Sequence, residues 1–263
     1  MSQKSPFKFL QPYTREDRKI FFGRDEEIEQ LYKMVFQADI ILVYGESGTG
    51  KTSLVQCGLA SRFQPTDWLD LFVRRKNNIN DSLREVLIHK ARNPVKPEAS
   101  LTQLVKSVYL DYFRPVFLIF DQFEELFIFG REPEQQQFIQ DISELQDAGL
   151  SCKIIIVMRE EYLAHLYNFE KVIPEIYNKR LRVEPMGVQN AHQVIEQSCK
   201  ELDVEIMDAP QTIGKIIENV SGGKAGVQLS YLQVYLDRLW HEAVGAKPPQ
   251  SPLLTQSPSP INE

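Results

Sequence analysis

An α/β fold built on a parallel sheet flanked by helices is predicted by three stretches of this sequence. Residues Ile40 to Tyr44 form an apolar run that leads into GESGTGKTS at 45–53 and then into an apolar-periodic segment from Leu54 to Leu59. Residues Val116 to Phe120 are apolar without interruption and end in Asp121. Residues Ile154 to Met158 repeat that pattern and end in Arg159. Short unbroken apolar runs with charge only at their ends read as strands buried on both faces, which is how strands of a helix-covered parallel sheet look.

The stretch after the first strand is the most specific. The pattern G-x-x-x-x-G-K-[ST] is met by Gly45, Gly50, Lys51 and Thr52, the phosphate-binding loop of P-loop NTPases. Its residues Gly45, Glu46, Ser47, Gly48, Thr49, Gly50, Lys51, Thr52 and Ser53 are the candidate nucleotide-binding segment. Glycines remove the Cβ atoms that would keep backbone N–H groups from a phosphate. The following helix turns its positive N-terminus to the same anion. Lys51 adds a mobile cation, and the Thr52 hydroxyl is placed to ligate Mg2+.

Asp121 stands at the C-terminal end of a buried strand, the edge at which open α/β sheets bind ligands, and is the second candidate Mg2+ residue. Gln122, Glu124 and Glu125 follow it. One of these three is expected to orient or deprotonate the water that attacks the γ-phosphate, and the spacing leaves all three open. If the chain turns helical here, Glu124 or Glu125 shares a face with Asp121. Arg159, at its own strand end, is placed to reach the terminal phosphate; the competing reading is an ordinary salt bridge.

The remaining elements follow in order. Residues 1–19 read as an irregular lead-in, and a helix begins at Asp25 with Ile28, Leu31, Tyr32 and Val35 on one face. A second strand spans Leu69 to Val73, and Arg74-Arg75-Lys76 after it are either a solvated loop or a contact to nucleotide or a neighbouring subunit. Ser82-x-x-Glu85 fits a capping box that opens a helix with Leu83, Val86 and Leu87. After the break NPVKPEAS, a helix carries Leu101, Leu104, Val105 and Val108. Another, at 133–147, turns Phe138, Ile142 and Leu145 inward. A short strand at Leu181 to Glu184 closes the core, taken as 20–186. From Gly187 the pattern is helical, and 187–245 read as a lid with a junction at 221–226. The Pro- and Ser-rich tail 246–263 reads as disordered or a linker.

Composition narrows the class. A hydrophobic content of 43% supplies a full core, and a net charge of −6 argues against a dedicated nucleic-acid surface. Cys57, Cys152 and Cys199 have neither disulfide nor zinc spacing, which fits a reducing cytosol and a cytoplasmic location. No apolar run reaches the roughly 18 residues of a membrane span, and the N-terminus lacks a signal-peptide core.

Five pieces now stand in order: FFGRDEEI, GESGTGKTSLVQCGL, DQFEELF, IIIVMRE and GVQLSYLQVYLDRLW. Their order resembles the STAND class of signalling ATPases, closest to the prokaryotic novel-STAND group, with DQFEELF the most specific match. The resemblance covers residues 20–242. It implies a P-loop NTPase sheet of strand order 5-1-4-3-2 with a C-terminal helical lid subdomain, and ATP, less often GTP, with Mg2+. It implies that Phe22, Gly23 and Arg24 form the adenine-side motif and that Arg159 is a sensor of the terminal phosphate. It also implies a homo-oligomer on activation and a trigger and effector, fused or on separate chains, that these residues leave unspecified. Many members serve bacterial defence against phage. Two positions depart from the pattern. Gln122 stands where many such ATPases carry a glutamate, and Gly226-Val227-Gln228 lacks the usual proline of a Gly-x-Pro. Relatives continue into a winged helix, effector or sensor repeats, so the expectation is a segment of a longer protein or partners on other chains.

The leading functional expectation is an ATP-driven oligomerisation switch with slow hydrolysis. Two others are a nucleotide-dependent interaction module with negligible hydrolysis and an AAA-like DNA-handling or remodelling ATPase. A membrane partner is not expected.

Overall fold

Alternate residues of β1 (Ile40–Gly45) serve opposite faces of a sheet, and both faces are covered. Ile40 and Leu42 belong to one apolar layer, Ile41 and Val43 to the other. This is why the strand reads as continuously apolar rather than alternating. The computed structural model describes residues 5, 7–96, 98–222 and 226–243. The predicted tail at 246–263 and part of the 221–226 junction lie outside them.

Four further strands complete the sheet: β2 (Leu69–Val73), β3 (Val116–Phe120), β4 (Cys152–Arg159) and β5 (Arg180–Arg182). Their order is β2-β3-β4-β1-β5 and every pairing is parallel. This is the predicted order, read from the other edge. Parallel neighbours require crossovers, which the intervening helices supply. β4 is inserted between β1 and β3, so the ends of β1, β4 and β3 bring the phosphate loop, Arg159 and Asp121 to one edge. The fifth strand is shorter than the sequence indicated and stops at Arg182.

Helix α1 (Asp25–Val35) and the helix that follows the phosphate loop cover one face, over Ile41, Val43, Ile119 and Ile155. The loop helix starts earlier than Leu54. It opens as α2 (Lys51–Ser53), continues with π-helical winding over Leu54–Leu59, and tightens to 3₁₀ at Ala60–Arg62. On the opposite face lie α3 (Ile79–Lys90), α4 (Leu101–Tyr112), the short α5 (Glu125–Phe129) and α6 (Glu132–Asp147), with Leu83, Val105 and Phe138 against Leu118 and Phe120. A one-turn α7 (Tyr167–Glu170) adds Phe169 to that layer.

The capping box at Ser82 and Glu85 is not formed. α3 starts four residues earlier, and Asn78 caps it by accepting from the N–H groups of Asn80 and Asp81. Ser82 lies inside the helix, where its hydroxyl donates back to the Asn78 carbonyl at 2.8 Å. Asn is as good a cap as Ser, and the apolar Ile79 at the first helical position is buried, which sets the earlier start.

The lead-in also differs from expectation. Arg15–Ile20 form a 3₁₀ helix, capped reciprocally by Thr14 and Asp17. The Tyr13 N–H donates to the Ser53 hydroxyl at 3.0 Å, and Arg15 donates to the Phe63 carbonyl at 2.5 Å. The segment is therefore laid along the loop helix.

Beyond β5, a small antiparallel pair joins β6 (Met186–Gly187) to β7 (Gly226–Val227). Three helices pack around it: α8 (Val188–Glu201), α9 (Ala209–Ser221) and α10 (Leu229–Ala243). Their apolar faces enclose a third core of Ala191, Ile195, Ile213, Ile217, Leu232 and Leu236. No described helix is long and apolar enough to cross a membrane.

Candidate nucleotide-binding site

The phosphate loop takes the backbone shape that its glycines permit. Gly48 and Gly50 have φ of +79° and +89°, in the left-handed region that other residues avoid. Lys51 folds over the loop, its ammonium donating to the carbonyls of Gly45 and Glu46 at 2.9 and 2.6 Å. Burial holds that ammonium below its ordinary pKa, with Glu124 and Glu161 opposing the shift and Arg159 adding to it. Thr49 is buried, and its hydroxyl donates to the Glu46 carbonyl at 3.0 Å.

The Thr52 hydroxyl donates to Asp121 Oδ1 at 2.8 Å, so the two predicted metal residues meet directly. A hydroxyl and a carboxylate are hard oxygen donors, and one cation-ligating pair beside a phosphate cradle fits Mg2+. No group of three or more His, Cys, Asp or Glu residues that could hold a metal gathers at any point among the described residues.

The turn after β3 separates the three candidate water-orienting residues. Gln122 has φ of +57°, which tips the chain off the strand before α5 begins. Gln122 and Glu124 line the cavity described below; Glu125 does not. Glu124 is buried, and both of its oxygens are engaged by Arg159. Oε2 accepts from the Arg159 backbone N–H at 3.2 Å, and Oε1 lies 3.2 Å from Arg159 Nε. Burial and the neighbouring Glu124 raise the pKa of Glu125.

The basic run after β2 resolves into three fates. Arg74 lines the cavity and grips Asp121 Oδ2 through Nε at 3.0 Å and Nη2 at 2.5 Å. Arg75 is half-buried against Glu134 of α6, with two contacts of 2.9 Å. Lys76 is a surface partner of Glu85. Periodicity held no signal that would single out Arg74. Its position became visible only once β2 and β3 paired with Val73 beside Phe120.

A cavity of about 270 Å³ opens at this edge. Its polar end is formed by Ser47, Gly48, Gly50, Lys51, Thr52 and Ser53, with Arg74, Asp121 and Arg159. Its other end is apolar, lined by Phe9 and Tyr13 from the lead-in, Phe22 just ahead of α1, Met186 of β6, and Val194 and Leu232 of α8 and α10. A charged end and an apolar end in one cleft match the two ends of a nucleotide. The aromatic lead-in FKFLQPY was the available signal for that wall, and its irregular pattern concealed it.

Phe22, Gly23 and Arg24 divide their work. Phe22 lines the cavity. Gly23, at φ +76°, sits so close to α8 that a Cβ would lie 2.7 Å from Val194 Cγ2. Arg24 does not line the cavity. It is buried, pairs with Glu27, and donates to the carbonyls of Thr49 and Glu184 at 3.0 and 2.7 Å. Gly45, Glu46 and Thr49 likewise lie outside the lining and serve the loop's own shape. Gly226-Val227-Gln228 leads into α10, and a Cβ at Gly48 would meet the Ser230 hydroxyl at 2.6 Å. The start of α10 thus rests on the phosphate loop.

Solved structures similar to this one are P-loop ATPases. A Walker-type ATPase of Pyrococcus abyssi superposes with a TM-score of 0.64 at 16% identity, over 90% of this chain and 72% of that one. The Aeropyrum pernix ORC2 protein, solved with ADPNP and ADP, gives a TM-score of 0.61 at 16% identity, over 91% and 67%. Domain III of the Thermotoga maritima replication initiation protein DnaA gives 0.58 at 18%, over 90% and 92%. At these identities the likeness is one of fold. A sequence search of curated proteins finds no match. The family model that matches covers residues 6–256 and describes novel STAND NTPase 1; this chain belongs to that family, a P-loop NTPase of the STAND type.

Proposed function

We propose that this chain is a Mg-ATP-dependent signalling ATPase module, a nucleotide-gated oligomerisation switch with slow hydrolysis. One observation carries the reading. The lead-in, the strand ends and helices α8 and α10 all line a single cavity at the phosphate loop. Whatever fills that cavity therefore sets how a helical lid, taken as 187–245, sits on a core at 20–186.

Lys51 and the loop N–H groups bind the phosphates, while Phe22 and Val194 flank the base at the apolar end. Thr52 and Asp121 hold a divalent cation, which supplies charge neutralisation to the phosphate oxygens. Glu124 is the residue that positions water, since it lines the cavity and Glu125 does not. Arg159 holds both Glu124 oxygens, so a water must compete for them, and this supports slow turnover. ATP is the favoured nucleotide over GTP, and the cytoplasm the favoured location.

Particle mass by light scattering and phosphate release are measured together with ADP, ATP and a non-hydrolysable ATP analogue. ATP and the analogue are expected to enlarge the particle and ADP to leave it small, with slow release from ATP. Lys51→Ala and Asp121→Ala are expected to remove both effects; unchanged release in both would sink the site assignment. Expression in cells challenged with phage, with Lys51→Ala as control, reads the defence role.

A second reading, an interaction module with negligible hydrolysis, is favoured by Gln122 standing directly after Asp121. Assembly with ATP and no phosphate release would decide for it. The DNA-handling reading predicts salt-dependent DNA binding and DNA-stimulated release, against a net charge of −6.

A further inference from the structure

We infer that Arg74, at the end of β2, reads the terminal phosphate and makes the site prefer a nucleoside triphosphate over a diphosphate; this rests on the nucleotide reading above. Four observations carry it.

The first is placement. Val73 pairs with Phe120, and the Asp121 N–H donates to the Val73 carbonyl at 3.0 Å. Arg74 is thereby set level with Asp121 at the sheet edge and lines the same cavity as Lys51.

The second is how its donors are used. Nε and Nη2 converge on the single oxygen Oδ2 of Asp121, while Oδ1 takes the Thr52 hydroxyl. A guanidinium has five N–H donors in a planar fork. Among the described residues Arg74 makes no other hydrogen bond, and its side chain is 52% exposed. The remaining donors belong to a residue that lines the cavity, and a guanidinium fork suits phosphate oxygens.

The third is the contrast with Arg159. Both oxygens of Glu124 face Arg159, through its backbone N–H and through Nε. The guanidinium of the strand-end arginine that motif reasoning points to thus meets the water-positioning acid, through Nε alone at 3.2 Å. Arg74 is tied only to the residue that shares the metal.

The fourth is anchorage. Arg75 is clamped by Glu134, which also accepts from the Ile79 N–H at 2.7 Å. That half-buried clamp fixes the chain one residue from Arg74, so its guanidinium is presented from a firm base.

Arg74 and a cation at Asp121 draw on the same carboxylate. A cation held at Asp121 would compete with the guanidinium for that carboxylate and leave the fork available to the extra phosphate, which only a triphosphate offers. Its contribution is therefore a difference between two ligands rather than general affinity.

The test is equilibrium binding of ATP and ADP, each with Mg2+, to the unaltered chain and to Arg74→Ala, Arg74→Lys and Lys51→Ala, by calorimetry. Arg74→Ala is expected to weaken ATP by roughly ten- to hundred-fold, as for a lost charge-assisted contact, and ADP by less than about three-fold. Arg74→Lys keeps the charge without the fork and falls between. Lys51→Ala weakens both ligands. Thermal melting without nucleotide checks that each variant is folded, and Arg74→Lys carries the test if Arg74→Ala melts early. Equal losses for ATP and ADP, or tighter binding of both, would overturn the assignment and leave Arg74 a partner of Asp121 only. Absence of binding by the unaltered chain would overturn the nucleotide reading and Arg74's role with it.

Discussion

Arg24 and Thr49 are joined by a buried hydrogen bond of 3.0 Å from the guanidinium to the carbonyl of the phosphate loop. The same guanidinium donates to Glu184 just past β5 and pairs with Glu27 of α1. One side chain thus ties the entry of α1, the crest of the loop and the exit of the sheet. Of the three residues expected on the adenine side, Arg24 works from behind the loop, while Phe22 lines the cavity.

Arg24→Ala is expected to destabilise the protein by about 2–4 kcal/mol, because the buried Thr49 carbonyl, the Glu184 carbonyl and the Glu27 carboxylate lose their partner. Urea unfolding without nucleotide checks this. A change below about 0.5 kcal/mol would mean that water replaces the guanidinium at no cost.

Gly48→Ala is expected to lower nucleotide affinity at least ten-fold, on the order of 1.4 kcal/mol. A Cβ there meets the Ser230 hydroxyl at 2.6 Å and is strained at φ +79°. Adding Ser230→Gly removes the collision but not the strain, so partial recovery of the dissociation constant is expected. Full recovery would assign the whole effect to the contact with α10.

Glu124→Gln is expected to reduce phosphate release by roughly 10²-fold or more with nucleotide affinity nearly kept, the pattern for loss of a general base. Glu125→Gln is expected to change release less than about three-fold, since that side chain lies outside the cavity lining. Single-turnover release compares them directly. The reverse ranking would exchange the two roles.

Alkaline stability follows from Cys152. Burial pushes its thiol up to about 12 from an ordinary value of 9.0. Above pH 9 the unfolded chain releases this proton while the folded chain keeps it, so stability falls as pH rises from 9 to 12. The slope approaches about 1.4 kcal/mol per pH unit for this group. Cys152→Ala is expected to flatten that part of the curve in urea titrations. An unchanged slope would place the loss on other groups.

The inner strands were legible because they are buried on both faces, as in β3, and the edge strand β2 fell on its expected span although Asp70 within it is exposed. The phosphate loop and Asp121 were legible because close phosphate approach and strand-end placement need particular residue types. What was hidden depends on pairing across the chain. Nothing local distinguishes Arg74, which meets Asp121, from Arg75, which meets Glu134. Glu124 and Glu125 parted only through the left-handed Gln122, a non-glycine in a conformation that no pattern announces. The start of α3 was misplaced because Asn78 and Ser82 both have capping chemistry, and the burial of Ile79 decided between them.

The insertion of β4 beside β1 also dictates an order of assembly. β1 has no partner among the strands that come next in the chain; its neighbours are β4 and β5. Lys153 at the start of β4 reaches back 114 residues to Asp39, at the foot of β1. Such distant closures are entropically costly and slow. During synthesis, the strand bearing the phosphate loop therefore waits, unpaired, until the far side of the sheet has been made. A ribosome paused before Lys153 would hold a nascent chain that carries the whole nucleotide motif and cannot yet build its cradle.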